Sequence, residues 1–172
     1  MLKLVGSFMI LISASLIGYL HGENLKKRVI HLRELEGAIY HLKNEISYSH
    51  ALLQDGLITV AEKTKSPVNK VFYSVSNMLR KHECDSVYEA FIKSFEDNKE
   101  SLELTKEDIG IFLSLAKTLG EISLEGQEEM FKLTIINLEK AIKNAEQSLE
   151  KNLKMYRYLG FTIGAMVVIV LI

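Results

Sequence analysis

Residues 4–20 read LVGSFMILISASLIGYL and residues 159–172 read LGFTIGAMVVIVLI. Neither run contains an Asp, Glu, Lys or Arg. Of the 43 charged residues in the chain, 42 lie between residues 21 and 158, and the remaining one is Lys3. As helices rising about 1.5 Å per residue, the two runs would span roughly 25 and 21 Å against a hydrocarbon layer of about 30 Å. His21 and Gly22 at one end, and Tyr156 and Tyr158 at the other, extend them into the interfacial zone, which suits Tyr rings. The pattern predicts two membrane helices, at 1–22 and 159–172, with a polar body at 23–158 between them. A cleaved leader would also begin with a Lys and an apolar run, but no convincing small-x-small cleavage site precedes the charges at Lys26, and the second run would still anchor the chain. The second run is apolar all the way round, unlike a helix that buries one face of a soluble core.

Worked outward from these ends, the rest of the composition is that of a helical protein. The 172 residues carry ten Gly, one Pro and one Cys, and the stretches between breakers are rich in Leu, Glu, Lys and Ala. The fold class is all-α. A net charge of −1 gives no global basic field for nucleic acid, and the lone Cys84 cannot close an internal disulfide. The mean hydropathy of +0.10 averages apolar ends with a polar middle. Lys26, Lys27, Arg28 and Arg33 follow the first apolar run, and Lys151, Lys154 and Arg157 precede the second, so positive flanks place the central body in the cytoplasm. Ala14 and Gly18 on the first run, and Gly160 and Gly164 on the second, have the small-xxx-small spacing that lets membrane helices approach closely.

The central body reads as six helical stretches. Leu25, Val29, Leu32, Leu35, Ile39, Leu42 and Ile46 recur at steps of three and four, a heptad-like stripe over roughly 23–48. Leu53, Leu57, Val60 and Ala61 mark a second stretch. Ser66 before Pro67 is expected to cap a third, with Val68, Val71, Phe72, Val75, Met78 and Leu79 on its apolar face. Ser86 with Glu89, and Thr105 with Asp108, form capping boxes that open a fourth, with Val87, Phe91 and Phe95 on its apolar face, and a fifth, with Ile109, Phe112, Leu113 and Ala116. Gly120 stops the fifth, and Ser123 caps a last helix whose stripe continues through Phe131, Leu138, Ile142, Ala145 and Leu149. The first and last helices are expected to form a long antiparallel stalk, with the four shorter ones as a cap.

Charge is sorted along this design. Between His82 and Phe131 there are 13 acidic residues against four Lys. Glu121, Glu125, Gln127, Glu128 and Glu129 are therefore candidates for receiving a basic surface of a cytoplasmic partner. Chemistry is sparse by comparison. There is no phosphate-binding loop, nucleophile elbow, Cys pair or His-Glu-x-x-His. His82, Cys84 and Asp85 lie together in HECD, but close sequence neighbours seldom reach triad geometry. His31 and Glu34 are one turn apart in the reverse of the usual di-iron order, and are expected at polar positions on the surface or stalk. His21, His41 and His50 have no partner pattern, and no catalytic residue, metal or cofactor is expected.

The opening MLKLVGSFMILISASLIGYLHG, the stretch LRELEGAIYHLKNEISYSHALLQDGL, the segment LAKTLGEISLEGQ and the closing KNLKMYRYLGFTIGAMVVIVLI together resemble the stage III sporulation protein AB family of endospore-forming bacteria. A Leu-Gly turn followed by a Gln corresponds here to Leu119, Gly120, Ser123 and Gln127, with Ser123 where the family tends to Asp; both side chains accept from exposed N–H groups at a helix start. After Tyr48 the chain has Ala51, Leu52, Leu53 and Gln54 in place of the family's Pro-Leu and Glu-Ala-Leu pattern. The resemblance implies a non-enzymatic platform protein in the mother-cell membrane around the forespore. Such a protein is similar to the F-type inner-membrane component of type II secretion and type IV pilus machines. Its implied partners are a secretion-type ATPase, other membrane ring proteins and the lipid bilayer, with a homo-oligomer left open. A membrane-tethered helical signalling adaptor is the rival reading.

Overall fold

The computed structural model describes residues 2–49, 52–119 and 124–171, with side chains at 22–47, 52–119 and 126–152 and at Met155, Thr162 and Met166. Six helices are found, α1 (Leu2–Asn44), α2 (Leu53–Lys63), α3 (Val68–Arg80), α4 (Val87–Asp97), α5 (Lys106–Ala116) and α6 (Leu124–Leu171), with a π-turn at Glu45–Ser49 and no strand among the described residues. The fold is all-α. The helices divide between two compact units. One comprises Met1–Val29 with Asn144–Ile172, and the other Ile30–Lys143. In the first, residues 4–20 and 159–171 are helical parts of α1 and α6. Among the described residues no helix is long and apolar enough to cross a membrane; the side chains of the apolar runs, with Ala14, Gly18, Gly160 and Gly164, lie almost wholly outside that set.

The second unit holds the core. The α1 stripe supplies Leu32, Leu35, Ile39 and Leu42, each fully buried, and Ala38 joins them. From α6 come Phe131, Ile135, Leu138 and Ile142. Four phenyl rings fill the space among α3, α4 and α5. Phe112 meets Phe72, Phe91 and Phe95 edge to face, at centroid separations of 5.8, 4.7 and 5.6 Å. Each buried ring contributes about 1.5–3 kcal/mol by leaving water, with a further ~0.5–1.5 kcal/mol for a favourable ring pair. Two buried hydroxyls cross between helices: Ser76 Oγ donates to the Gln54 carbonyl at 2.7 Å and Ser94 Oγ to the Val71 carbonyl at 3.0 Å. A hydroxyl satisfied in this way fits where a methyl would leave the neighbouring helix unlinked.

The capping expectations meet three different outcomes. Thr105 and Asp108 form the complete reciprocal box at the start of α5. At α4, Ser86 Oγ accepts from Glu89 N–H at 3.1 Å, but the Glu89 carboxylate accepts from Asp85 N–H at 3.2 Å, one residue upstream of the expected donor. Ser66 is not the cap of α3. Pro67 occupies that position without a side-chain cap bond, and the carbonyls of Lys65 and Pro67 accept from Asn69 and Lys70. A residue that has no N–H to satisfy is tolerated there. The long first helix also ends differently, its ladder widening into the π-turn at Glu45 instead of continuing to residue 48.

Candidate partner-binding surface

Local chemistry explains the histidines and carboxylates that looked most like a site. His31 is buried in α1, 7% exposed, and its Nδ1 accepts from the Glu103 N–H at 3.0 Å. One turn on, Glu34 Oε2 accepts from the Lys65 N–H at 3.1 Å and its Oε1 lies 3.4 Å from Lys65 Nζ. One turn of α1 therefore pins two loops, the α2–α3 turn and the approach to α5. An acceptor spent on a backbone N–H is poorly placed to ligate a metal. Among the described residues no group of three His, Cys, Asp or Glu could hold one.

HECD is the end of a helix. His82 has φ 53°, in the left-handed region, and its N–H donates to the Leu79 carbonyl at 3.2 Å while Glu83 N–H donates to the Met78 carbonyl at 2.9 Å. With Lys81 as the C-cap, these are the two bonds of a Schellman stop. Cys84 is half-buried, its Sγ 3.7 Å from Met78 Sδ, so the thiol covers the last turn of α3. His82 points into solvent.

The proposed receiving residues are partly placed. Glu128 lies between Lys43 of α1 at 3.8 Å and Lys132 at 3.5 Å. Glu129 is exposed and Gln127 half-buried, with Gln127 already in a polar contact. Gly120, Glu121 and Ser123 lie outside the described residues, as does the side chain of Glu125; α6 begins at Leu124, directly after Ser123. Further along the same α1–α6 seam, Glu36 comes near Glu139. Partial burial raises the Glu36 pKa above 4.5, the Glu139 charge adds to the rise, and Arg33 opposes it.

A second feature escaped the sequence. Between α4 and α5 lies an open, largely apolar groove of about 230 Å³, floored by Phe95, Leu104, Ile109 and Leu113 and edged by Ile92, Glu96, Lys99 and Lys106. It exists because α5 turns Phe112, Leu115 and Ala116 inward and leaves Ile109 and Leu113 at the flank. The expected α5 face included Ile109 and Leu113 as core and omitted Leu115. The alternating apolar residues of KEDIGIFLSLA fit either rotation.

The fold and its surface define a helical bundle whose polar clusters serve as anchors and caps. Residues 3–172 match the family model described as stage III sporulation protein AB, and the chain belongs to that family. The protein of that name from Bacillus subtilis (strain 168) is 30% identical over 171 residues, 99% of each chain. A solved structure of a stage III sporulation protein AB superposes with a TM-score of 0.67 at 28% identity, covering 72% of this chain and 97% of that one.

Proposed function

We propose that this chain is a non-enzymatic platform component of the sporulation complex that spans the mother-cell and forespore membranes. In this reading, domains 1–22 and 159–172 are transmembrane helices in the mother-cell membrane, and 23–158 faces the mother-cell cytoplasm. The bundle there receives a secretion-type ATPase and links it to the membrane ring proteins. The observation that carries the reading is family membership over residues 3–172 in a chain with charge-free runs at 4–20 and 159–172, each flanked by Lys and Arg on the side of the central body. The acidic residues Glu128 and Glu129, with Glu121 and Glu125, supply the charge that a basic ATPase surface would meet.

Affinity purification from sporulating cells tests it. The full-length protein should bring down the ATPase, and Glu128→Lys with Glu129→Lys should lower recovery several-fold without changing the amount in the membrane fraction. Recovery of a regulator with no ATPase would instead favour the signalling adaptor. Loss of the central body to protease added outside intact cells would overturn the orientation, and normal spore formation after deletion of residues 51–120 would overturn the coupling role.

A further inference from the structure

Three histidines have described side chains, and burial separates them: His82 is exposed, His41 half-buried and His31 7% exposed. Beside His31 runs the irregular segment 98–105 that joins α4 to α5. The hydrogen bonds described for this segment close within four residues, as from Ser101 N–H and Oγ to the Asn98 carbonyl and from Thr105 N–H to Asp108, with one exception. Glu103 N–H donates to His31 Nδ1 at 3.0 Å, across 72 positions. Its neighbour Leu102 is buried. Among the described residues, one imidazole nitrogen is thus the polar fastening of the segment to α1. A backbone N–H can only donate, so Nδ1 must offer its lone pair, and the proton of the neutral ring sits on Nε2.

Protonation puts an N–H on both ring nitrogens, and one of them then faces the Glu103 N–H with no acceptor between them. A buried donor left without its acceptor is costly. We propose that His31 is a proton-operated latch: its neutral ring holds residues 98–105 against α1, and its protonated ring releases them. The docked form excludes one proton that the released form accepts, so docking is fully present above about 6.5, the ordinary imidazole value, and is lost as pH falls below it. Lys27 and Arg28, one turn earlier on α1, oppose the added charge. Glu34, one turn later, and Glu103 on the docked segment favour it, although both Glu34 oxygens already lie against Lys65. Lys106 and Glu107 open α5 just beyond the segment. The α1 positions that approach α6, Glu36 and Lys43, are more than about 100° around the helix from His31. Release reaches the groove between α4 and α5, because Lys99 and Leu104 of its lining belong to the segment and Lys106 adjoins it. Acidification would therefore reshape that surface without a ligand. The latch needs neither the ATPase nor the membrane, so its failure leaves the platform reading standing.

A nitroxide spin label reads the latch in the full-length chain in detergent. It is attached at the exposed position 101 through Ser101→Cys in a Cys84→Ser background, and its mobility is followed from about pH 7.5 to about pH 5, the range over which an imidazole titrates. The label should be immobile at the upper end, and the ratio of released to docked segment should rise by up to about tenfold per pH unit below about 6.5, the slope of one proton. His31→Asn, whose Oδ1 can replace Nδ1 as acceptor and does not titrate, should keep the label immobile throughout. His31→Leu should free it at every pH. Thermal melts of each variant confirm folding. A second reading needs no variant: deuterium uptake by peptides covering 98–105, corrected for the intrinsic pH dependence of exchange, should rise over the same range while uptake by α3 does not. A label equally immobile at both ends of the range would overturn the proposal, as would a His31→Leu chain that stays docked or a His31→Asn chain that loosens with the wild-type midpoint. Loosening of α3 together with the segment would also overturn it, since that is general acid unfolding.

Discussion

His82→Gly should make the protein more stable, which is the reverse of what a catalytic or structural histidine would predict. At φ 53° a side chain with a Cβ crowds the following carbonyl, at a cost of about 1–2 kcal/mol for a residue other than Gly. Glycine removes that cost but surrenders about 0.5–1 kcal/mol in unfolded-chain entropy. The net gain is about 0.5–1 kcal/mol, because the imidazole is exposed and the two terminating bonds, at 3.2 and 2.9 Å, use only backbone. In a chain of this size that is a rise of about 1–4 °C in Tm. Thermal and urea unfolding of the full-length protein in detergent would measure it, beside His82→Ala, expected within about 0.5 kcal/mol of wild type, and His82→Val, expected to lose more than about 1 kcal/mol because a β-branched residue resists this conformation. A destabilised glycine variant would refute the helix-stop reading. A stabilised one that no longer supports spore formation would show that the imidazole acts in function.

Three further perturbations probe other parts of the bundle. Phe112→Ala should cost about 3–5 kcal/mol by opening the centre of the ring cluster, and Phe112→Leu about half of that, read as the shift in urea midpoint; a loss under about 1 kcal/mol for the alanine variant would mean that the rings are not packed as described. Thr105→Ala should cost about 1 kcal/mol through loss of one half of the α5 capping box, with Thr105→Ser close to wild type. Glu36→Gln should raise Tm at pH 7: the folded carboxyl binds its proton more tightly than the unfolded one, so stability falls as pH rises through the window just above 4.5, and the gain should shrink as pH is lowered toward 4.5. A variant benefit that is flat from pH 7 to pH 4.5 would contradict the assigned cause.

What the sequence could reveal was whatever repeats within one helix or closes within four residues. The stripe from Val29 through Leu42 and the Thr105–Asp108 box are of that kind, and both are found as expected. His31 is of the other kind. Its partner is 72 positions away, and nothing in a single helical turn announces that a buried imidazole will accept from a distant loop. HECD misleads because a Schellman stop normally shows a Gly, and here His82 takes the left-handed conformation instead. The groove was hidden for a third reason: Ile109, Leu113 and Leu115 are all apolar, so only packing against α4 decides which of them the core takes.

The two anchors on α1 bear on how the bundle could transmit force. Glu34 holds the α2–α3 turn and His31 holds the loop entering α5, while Ser76 and Ser94 stitch α3 to α2 and α4 to α3. Helices α2 to α5 are thereby registered on a single turn of α1. The polar links described along the α1–α6 seam are weaker: an exposed Lys43–Glu128 pair at 3.8 Å, of the sort worth about 0–1 kcal/mol, and the like-charged approach of Glu36 to Glu139. Apolar packing by Phe131, Ile135, Leu138 and Ile142 supplies most of what holds α6, and such packing is less directional than a buried hydrogen bond. A load applied to the short helices would pass first into α1, and sliding would be easiest between α1 and α6. A short bifunctional thiol crosslink between cysteines introduced at Lys43 and Glu128, whose side chains meet at 3.8 Å, would lock that seam, and spore formation that is unchanged by the lock would show that no such sliding is used.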